Sequence, residues 1–342
     1  MTQNDTTKIT HNDDGTVTIE TEVPAEDFTK HRSTAVQALG KDIAIDGFRK
    51  GHVPENILLK HVGEHAILHE MAERALREHY PSLLKEHAID AIGHPDITIT
   101  KIALGNPLAY KATTAVMPKI TLPDYKKIAR DTMKKQNVDE PSVDDAEVET
   151  FITNLLRQKH VSEGGKGDDA LPELTDEMVK TFGNFTDVAD FRNKIKESML
   201  IDKKRQAKEG VRIALIDALL AQTEITLPDV LVNTEVEKML AQFKGDIERM
   251  GMKVDDYMKK LSKTDDDLRK EFRPDALKQA KTQLVLNAIA KEENIVPDTK
   301  DVEREVGHIM NAYSNATKDT ATVYVTTILT NEKVLTMLEE LV

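Results

Sequence analysis

Gly47-Phe48-Arg49-Lys50-Gly51-His52-Val53-Pro54 is the stretch on which the reading of this chain turns. It sets one aromatic beside two cations, between two glycines, and closes on a proline. Gly47 and Gly51 free the backbone for a tight loop, and Pro54 suits the first position of a following helix, where its missing N–H costs nothing. A loop of this kind presents Phe48, Arg49 and Lys50 on a short tip. An aromatic beside an arginine makes a good anchor on a protein surface or an RNA backbone. The same residues also fit a plain helix-to-helix turn whose Phe tucks into the core. Local chemistry does not separate the two readings.

Working outward from the octet, Lys8-Ile9-Thr10, a turn at Asn12-Asp13-Asp14-Gly15, and Thr16-Val17-Thr18-Ile19-Glu20 read as a β-hairpin. One helix follows from about Ala25 to Leu39, with Phe28, Val36 and Leu39 on its buried stripe. Beyond the octet, one helix starts at Pro54 and a longer one runs from about Glu64 to Glu86. Ile97 to Leu104 and Leu108 to Val116 alternate apolar and polar residues around Gly105-Asn106-Pro107, a second hairpin. Helices against a small sheet make residues 1–118 an α+β domain.

Met117-Pro118 and Leu122-Pro123 break the pattern, so residues 119–141 read as a linker. From Ser142 onward strand signals almost vanish, and 142–342 reads as an all-helical domain. Ser142 with Asp145 resembles a capping box, followed by Val148, Phe151, Ile152, Leu155 and Leu156 at helical spacing. Residues 162–170, Ser-Glu-Gly-Gly-Lys-Gly-Asp-Asp-Ala, form a polar, flexible loop. Thr186 to Thr223 holds one long helix or two, with Val188, Phe191, Ile195, Ile213, Ile216, Leu219 and Leu220 on the apolar side. Pro228 opens another helix, with Val232, Val236, Met239, Phe243 and Ile247 along one face. Thr264 caps a helix to about Lys291 that Pro274 is placed to kink or split. Pro297 precedes a helix through Tyr313. Thr320 to Thr330 carries a conflict: its Thr and Val content favours strand, whereas the spacing of Val334, Leu335, Leu338 and Leu341 favours helix, and helix is the expectation.

Formal net charge is −13 over 342 residues, with 39% hydrophobic and 31% charged residues, 4% aromatic and no Trp. That balance suits a soluble, elongated, helical protein and excludes a molecule that binds nucleic acid over its whole surface, so any RNA contact is local. No Cys is present, which removes disulfides, thiolate metal sites and Cys nucleophiles. Residues 1–14 are polar, with neither a signal peptide nor a transmembrane span, and the expectation is a cytoplasmic protein. No Gly-rich phosphate loop and no nucleophile elbow stand out. His61, His65 and His69 sit four apart, and His69-Glu70 begins like a zinc-protease helix, but position 73 is Glu73. The histidines therefore read as a solvated helix face, with no metal and no cofactor expected. Lys203-Lys204-Arg205, Lys208 and Arg212 lie among Glu197, Asp202 and Glu209 and likewise read as a solvated face. Methionines are concentrated in the helical half, and their flexible, polarizable side chains suit a surface that accepts many apolar sequences. Met239, Phe243, Met250 and Met310 are the candidates for such a surface.

The octet resembles the ribosome-docking signature of the trigger factor family of bacterial chaperones. Glu22-Val23-Pro24-Ala25 before a helix, the long helix ending near Glu86 and the strands after it match that family's N-terminal domain in order. Leu171-Pro172-Glu173-Leu174-Thr175-Asp176-Glu177 and Leu227-Pro228 with Leu231-Val232 and Glu235 resemble later helix entries. The resemblance covers nearly the whole chain. It implies a small α/β ribosome-binding domain followed by a helical chaperone domain of the trigger factor/SurA-like kind. It implies docking through Gly47, Phe48, Arg49, Lys50 and Gly51 on a ribosomal protein and neighbouring rRNA, and binding of nascent and unfolded polypeptides. A homodimer off the ribosome is expected by the same analogy. Most members carry an FKBP-type proline-isomerase domain where this chain has only 162–170, too short for a domain of roughly 50 residues or more. The expectation is a member without that domain, and the family's enzymatic activity is in doubt with it.

Overall fold

The computed structural model describes residues 7–42, 48, 54–136, 140–162, 164, 172–313 and 316–341. Four antiparallel strands, β1 (Lys8–His11), β2 (Thr16–Val23), β3 (Ala91–Lys101) and β4 (Leu108–Val116), form one sheet in the order β1-β2-β4-β3. The helices of the first third are α1 (Ala25–Thr29), α2 (Arg32–Asp42) and α3 (Glu55–Glu86). Next come α4 (Tyr125–Gln136), α5 (Asp145–Ser162), α6 (Asp176–Phe182) and α7 (Val188–Ala221). The last five are α8 (Asp229–Arg249), α9 (Val254–Leu261), α10 (Asp265–Glu292), α11 (Thr299–Ala312) and α12 (Lys318–Glu339). This is the expected α+β class, a small antiparallel sheet followed by helices.

The sheet buries one face because its strands alternate. Val17, Ile19, Thr21 and Val23 of β2 point inward, as do Leu108, Tyr110, Ala112 and Thr114 of β4. The register sets Ile19 opposite Ala112 and Val23 opposite Leu108. Against this face α3 lays Ile67, Leu68, Met71, Ala72, Ala75, Leu76 and Leu83, a helical stripe, and α1 adds Phe28. β3 begins at Ala91, earlier than the alternation from Ile97 suggests. A register shift between Ile92 and Asp96 breaks the period there. The single helix expected over 25–39 is two. Thr29 ends α1 with its hydroxyl turned back onto the Ala25 carbonyl at 2.6 Å, an alternative to continuing the helix. In α3, Gly63 takes φ 78°, ψ 158°, a conformation closed to other residues, and divides the element where the sequence places a break before Glu64.

Contacts group residues 1–120 with 224–284, and 121–223 with 285–342. This differs from the expected division into 1–118, a linker and 142–342. In the first group the end of the sheet meets the start of α8. A Cβ on Gly15, whose φ is +77°, would lie 2.9 Å from the Pro228 ring, and one on Gly93 would lie 3.1 Å from Val230. Only residues without side chains let the two surfaces approach so closely. In the same group α8, α9 and α10 enclose two small clusters: Val232, Val236 and Ala276, and Leu240, Met258 and Leu268.

In the second group the expected linker contains α4. Tyr125, Ile128, Ala129 and Thr132 are its buried residues, a stripe at i, i+3, i+4, i+7 that the surrounding lysines mask in the sequence. The Tyr125 hydroxyl donates to Glu293, and Lys126 pairs with the same carboxylate at 2.7 Å. Burial, and then that carboxylate, push the Tyr125 hydroxyl up to about 12. The capping box of α5 is Asp144 with Glu147, not Ser142 with Asp145: Glu147 N–H donates to Asp144 Oδ1 at 2.8 Å and Asp144 N–H to Glu147 Oε2 at 3.1 Å. Thr186 to Thr223 resolves into one helix, α7, with Ile213 exposed rather than inward. Elsewhere α10 runs through Pro274 under a Thr264–Asp267 cap, and α12 is helical across the whole Thr-rich stretch. Thr317 accepts from Thr320 N–H at the start of α12, and hydroxyls of Thr322, Thr327 and Thr330 turn back on carbonyls four residues earlier.

Candidate functional site

Phe48 is 40% exposed and no part of the sheet-domain core. Gly47, Arg49, Lys50 and Gly51 lie outside the described residues. The helices on either side of the octet are held by Arg32. Its guanidinium reaches Glu55 at the start of α3 and Glu64 just past the Gly63 break, each at 2.7 Å. These bonds hold the Glu64 carboxyl below its usual range and raise Arg32 further. The start of α2 is thereby tied to both segments of α3.

The four residues expected on a polypeptide-binding surface fall into different environments. Met239 packs on the Val232–Val236–Ala276 cluster. Phe243 packs on the next one, with its ring edge-on to Tyr257 at 6.1 Å and Phe272 at 5.8 Å. These two are largely structural. Met250, at the C-terminal cap of α8, is 72% exposed, and Met310 on α11 is also exposed.

The sequence predicts helix over α12 but does not point to the apolar arc that this helix leaves exposed. Val325 and Ala321 pack with Val306 of α11, yet Val323 is 70% and Tyr324 60% exposed, with Ile328 open as well. Residues 323, 324, 327 and 328 cover one arc of the helix, and no charged residue occurs between Thr320 and Thr330. Tyr313, at the C-terminal cap of α11, is exposed too. The uncharged run was the available signal.

The cationic run on α7 is engaged rather than free. Lys203 donates to the Ser142 carbonyl at 2.8 Å and pairs with Glu147. Arg205 pairs with Asp202 at 3.1 Å. Arg212 forks onto Glu332 at 2.6 and 2.7 Å and also binds Glu339, while Lys208 lies within 3.7 Å of both carboxylates. The run fixes α7 to α5 and α12. It raises Arg212 and lowers Glu332 from their ordinary values through the shared hydrogen bonds.

The described residues thus form a small antiparallel α+β domain, with Phe48 exposed, followed by helices that leave several apolar side chains exposed. Residues 6–155 match the family profile of the bacterial trigger factor protein, and residues 187–340 that of its C-terminal part. The chain belongs to the trigger factor family. The trigger factor of Moorella thermoacetica is 26% identical over 375 residues, covering 86% of this chain and 84% of that protein. That of Shouchella clausii is 23% identical over 399 residues, covering 91% and 90%. A solved trigger factor chaperone, described for promiscuous substrate recognition in folding and assembly, shares the fold. It matches at TM-score 0.54 and 18% identity over 98% of this chain and 100% of that one. Only residues 156–186 separate the two profile matches, fewer than the roughly 50 a domain needs. The Moorella alignment runs over 375 positions, but 86% of 342 residues is about 294, so roughly 80 aligned positions have no counterpart in this chain.

Proposed function

We propose that this chain is an ATP-independent, ribosome-associated chaperone that docks at the tunnel exit and shields nascent polypeptides. Residues 1–118 serve as the docking domain, with Gly47, Phe48, Arg49, Lys50 and Gly51 as its contact loop to ribosomal protein and rRNA. Residues 142–342 hold the client. The observation that carries this reading is Phe48: an aromatic left in water, in the octet that resembles the family's docking signature. Clients are held by apolar side chains such as Met250, Met310, Val323, Tyr324 and Ile328. Exposed apolar segments of an unfolded chain bind such surfaces, and folding buries those segments and weakens the complex. The protein works in the cytoplasm and forms a homodimer when off the ribosome. Among the described residues no helix is long and apolar enough to cross a membrane.

Changing Phe48, Arg49 and Lys50 together to Ala is expected to abolish co-sedimentation with ribosomes while leaving the circular dichroism spectrum intact. Unchanged sedimentation removes the docking assignment. With no room for the family's isomerase domain, the protein is expected not to accelerate a proline-limited refolding reaction at substoichiometric amounts, and acceleration there overturns that part of the reading.

A further inference from the structure

We propose that His65 and His69 form a two-ligand binding site for a late first-row divalent metal ion, Cu²⁺ or Zn²⁺, on the outer face of α3. The two side chains stand one helical turn apart, and both are exposed. Their Nε2 atoms converge to 3.2 Å, with ring centroids 4.3 Å apart and ring planes at 49°. Metal–imidazole bonds are about 2.0–2.1 Å long. A metal at that distance from two nitrogens 3.2 Å apart subtends an angle of roughly 100°, between the square-planar and tetrahedral values. The side chains thus stand already in a chelating arrangement. In the free protein one Nε2–H donates to the lone pair of the other. To bind the metal the donating ring shifts its proton from Nε2 to Nδ1, so that both neutral imidazoles present an Nε2 lone pair to the ion.

The surroundings favour this pair as the donors. Glu64 is engaged by Arg32, and Glu70 pairs with Arg74 at 2.6 Å. His61 precedes the Gly63 break and so leaves the i, i+4 register that the sequence spacing suggests. His79 is turned inward, to Tyr110 at 2.9 Å. Among the described residues no group of three or more His, Asp or Glu is placed to hold a metal, so the remaining coordination positions are left to water. Neutral imidazole suits copper and zinc, and the general order of divalent affinities puts Cu²⁺ first. The pair lies immediately after the non-helical Gly63. Chelation therefore cross-links the first turns of the helix that carries the sheet-domain core.

The test is titration of the full chain with Cu²⁺, followed by electron paramagnetic resonance, and with Zn²⁺, followed by calorimetry. His65→Ala, His69→Ala and the double variant are run beside it. One equivalent with a two-nitrogen signature is expected for the unaltered protein. Affinity for that equivalent is expected to fall about a hundredfold in each single variant, because the second ligand no longer binds intramolecularly. It is lost in the double variant. A double variant that keeps the same stoichiometry, affinity and two-nitrogen signature overturns the proposal. A second measurement needs no variant: Zn²⁺ is expected to slow amide hydrogen exchange across residues 65–70 of the unaltered protein, and unchanged exchange there overturns it equally.

Discussion

In the sheet domain sixteen buried residues, from Val17 to Ala112, form one continuous cluster. In the α11–α12 pair the buried cluster is Val306, Ala321 and Val325, while Val323, Tyr324 and Ile328 face water. Both regions are made from ordinary apolar side chains, but they place them differently. The sheet domain gathers its apolar residues into one packed interior. The helical pair buries part of its apolar side chains and leaves the rest in water. Further along α12, Val334 and Leu338 are buried, and Arg212 of α7 forks onto Glu332 and Glu339.

The sharpest way to break that contrast is Phe28→Ala. Phe28 is fully buried under the sheet, and emptying its site is expected to cost about 3–5 kcal/mol, read as a shift in the urea midpoint of the sheet domain. Val325→Ala in the small cluster is expected to cost about 1–2 kcal/mol. Equal losses would show that the two cores do not differ in kind. Next comes Arg212→Met, expected to destabilise the α7–α12 contact by about 1–2 kcal/mol at low salt and by less at high salt. A salt-independent loss would assign the effect to packing of the arginine stem instead.

A smaller, pH-dependent difference belongs to the sheet domain. His79 lies against the Tyr110 hydroxyl, and burial lowers its folded-state pKa below the ordinary histidine value of about 6.5. The unfolded chain then takes up a proton near 6.5 that the folded chain takes up only at lower pH. The stability contributed by neutral His79 is therefore complete above that value and is lost as pH falls below it, with a slope of at most about 1.4 kcal/mol per pH unit. His31, also lowered by burial, acts in the same direction. Urea midpoints measured between about pH 7.5 and 5.5 should fall on acidification, and His79→Gln should flatten the curve. An unchanged curve would place the titration elsewhere. The smallest stability effect is expected for Val323→Ser with Ile328→Ser, within about 0.5 kcal/mol each because both side chains are exposed. The same variant is expected to suppress client aggregation less well, and undiminished suppression would remove α12 from the client surface.

Much of this architecture is legible in the residues themselves. The hairpin strands, the break before Glu64, the Thr264 cap and the helical choice for residues 320–330 all follow from periodicity and turn chemistry. What escaped has physical causes. α4 hid because Lys126, Lys127, Lys134 and Lys135 outweigh a four-residue apolar stripe in any local average. The start of β3 hid because a register shift suspends alternation. Asp144 displaced Ser142 as the cap because the reciprocal partner, Glu147, stands three residues after it and not after Ser142. Exposure of the candidate residues is not legible in the sequence. A methionine looks the same in sequence whether it is packed like Met239 or open like Met250. The approach of His65 to His69 depends on side-chain rotation that spacing alone does not specify.

The meeting of Gly15 and Gly93 with Pro228 and Val230 also bears on the order of biosynthesis. Strands β1 to β4 leave the synthesising machinery well before α8 does, and segments made early tend to fold early. The finished sheet therefore waits with a bare, side-chain-free seat at its end until the later segment arrives. Gly15→Ala would act twice, straining the β1–β2 turn early because its φ is +77°, and later obstructing the approach of Pro228 in the completed chain.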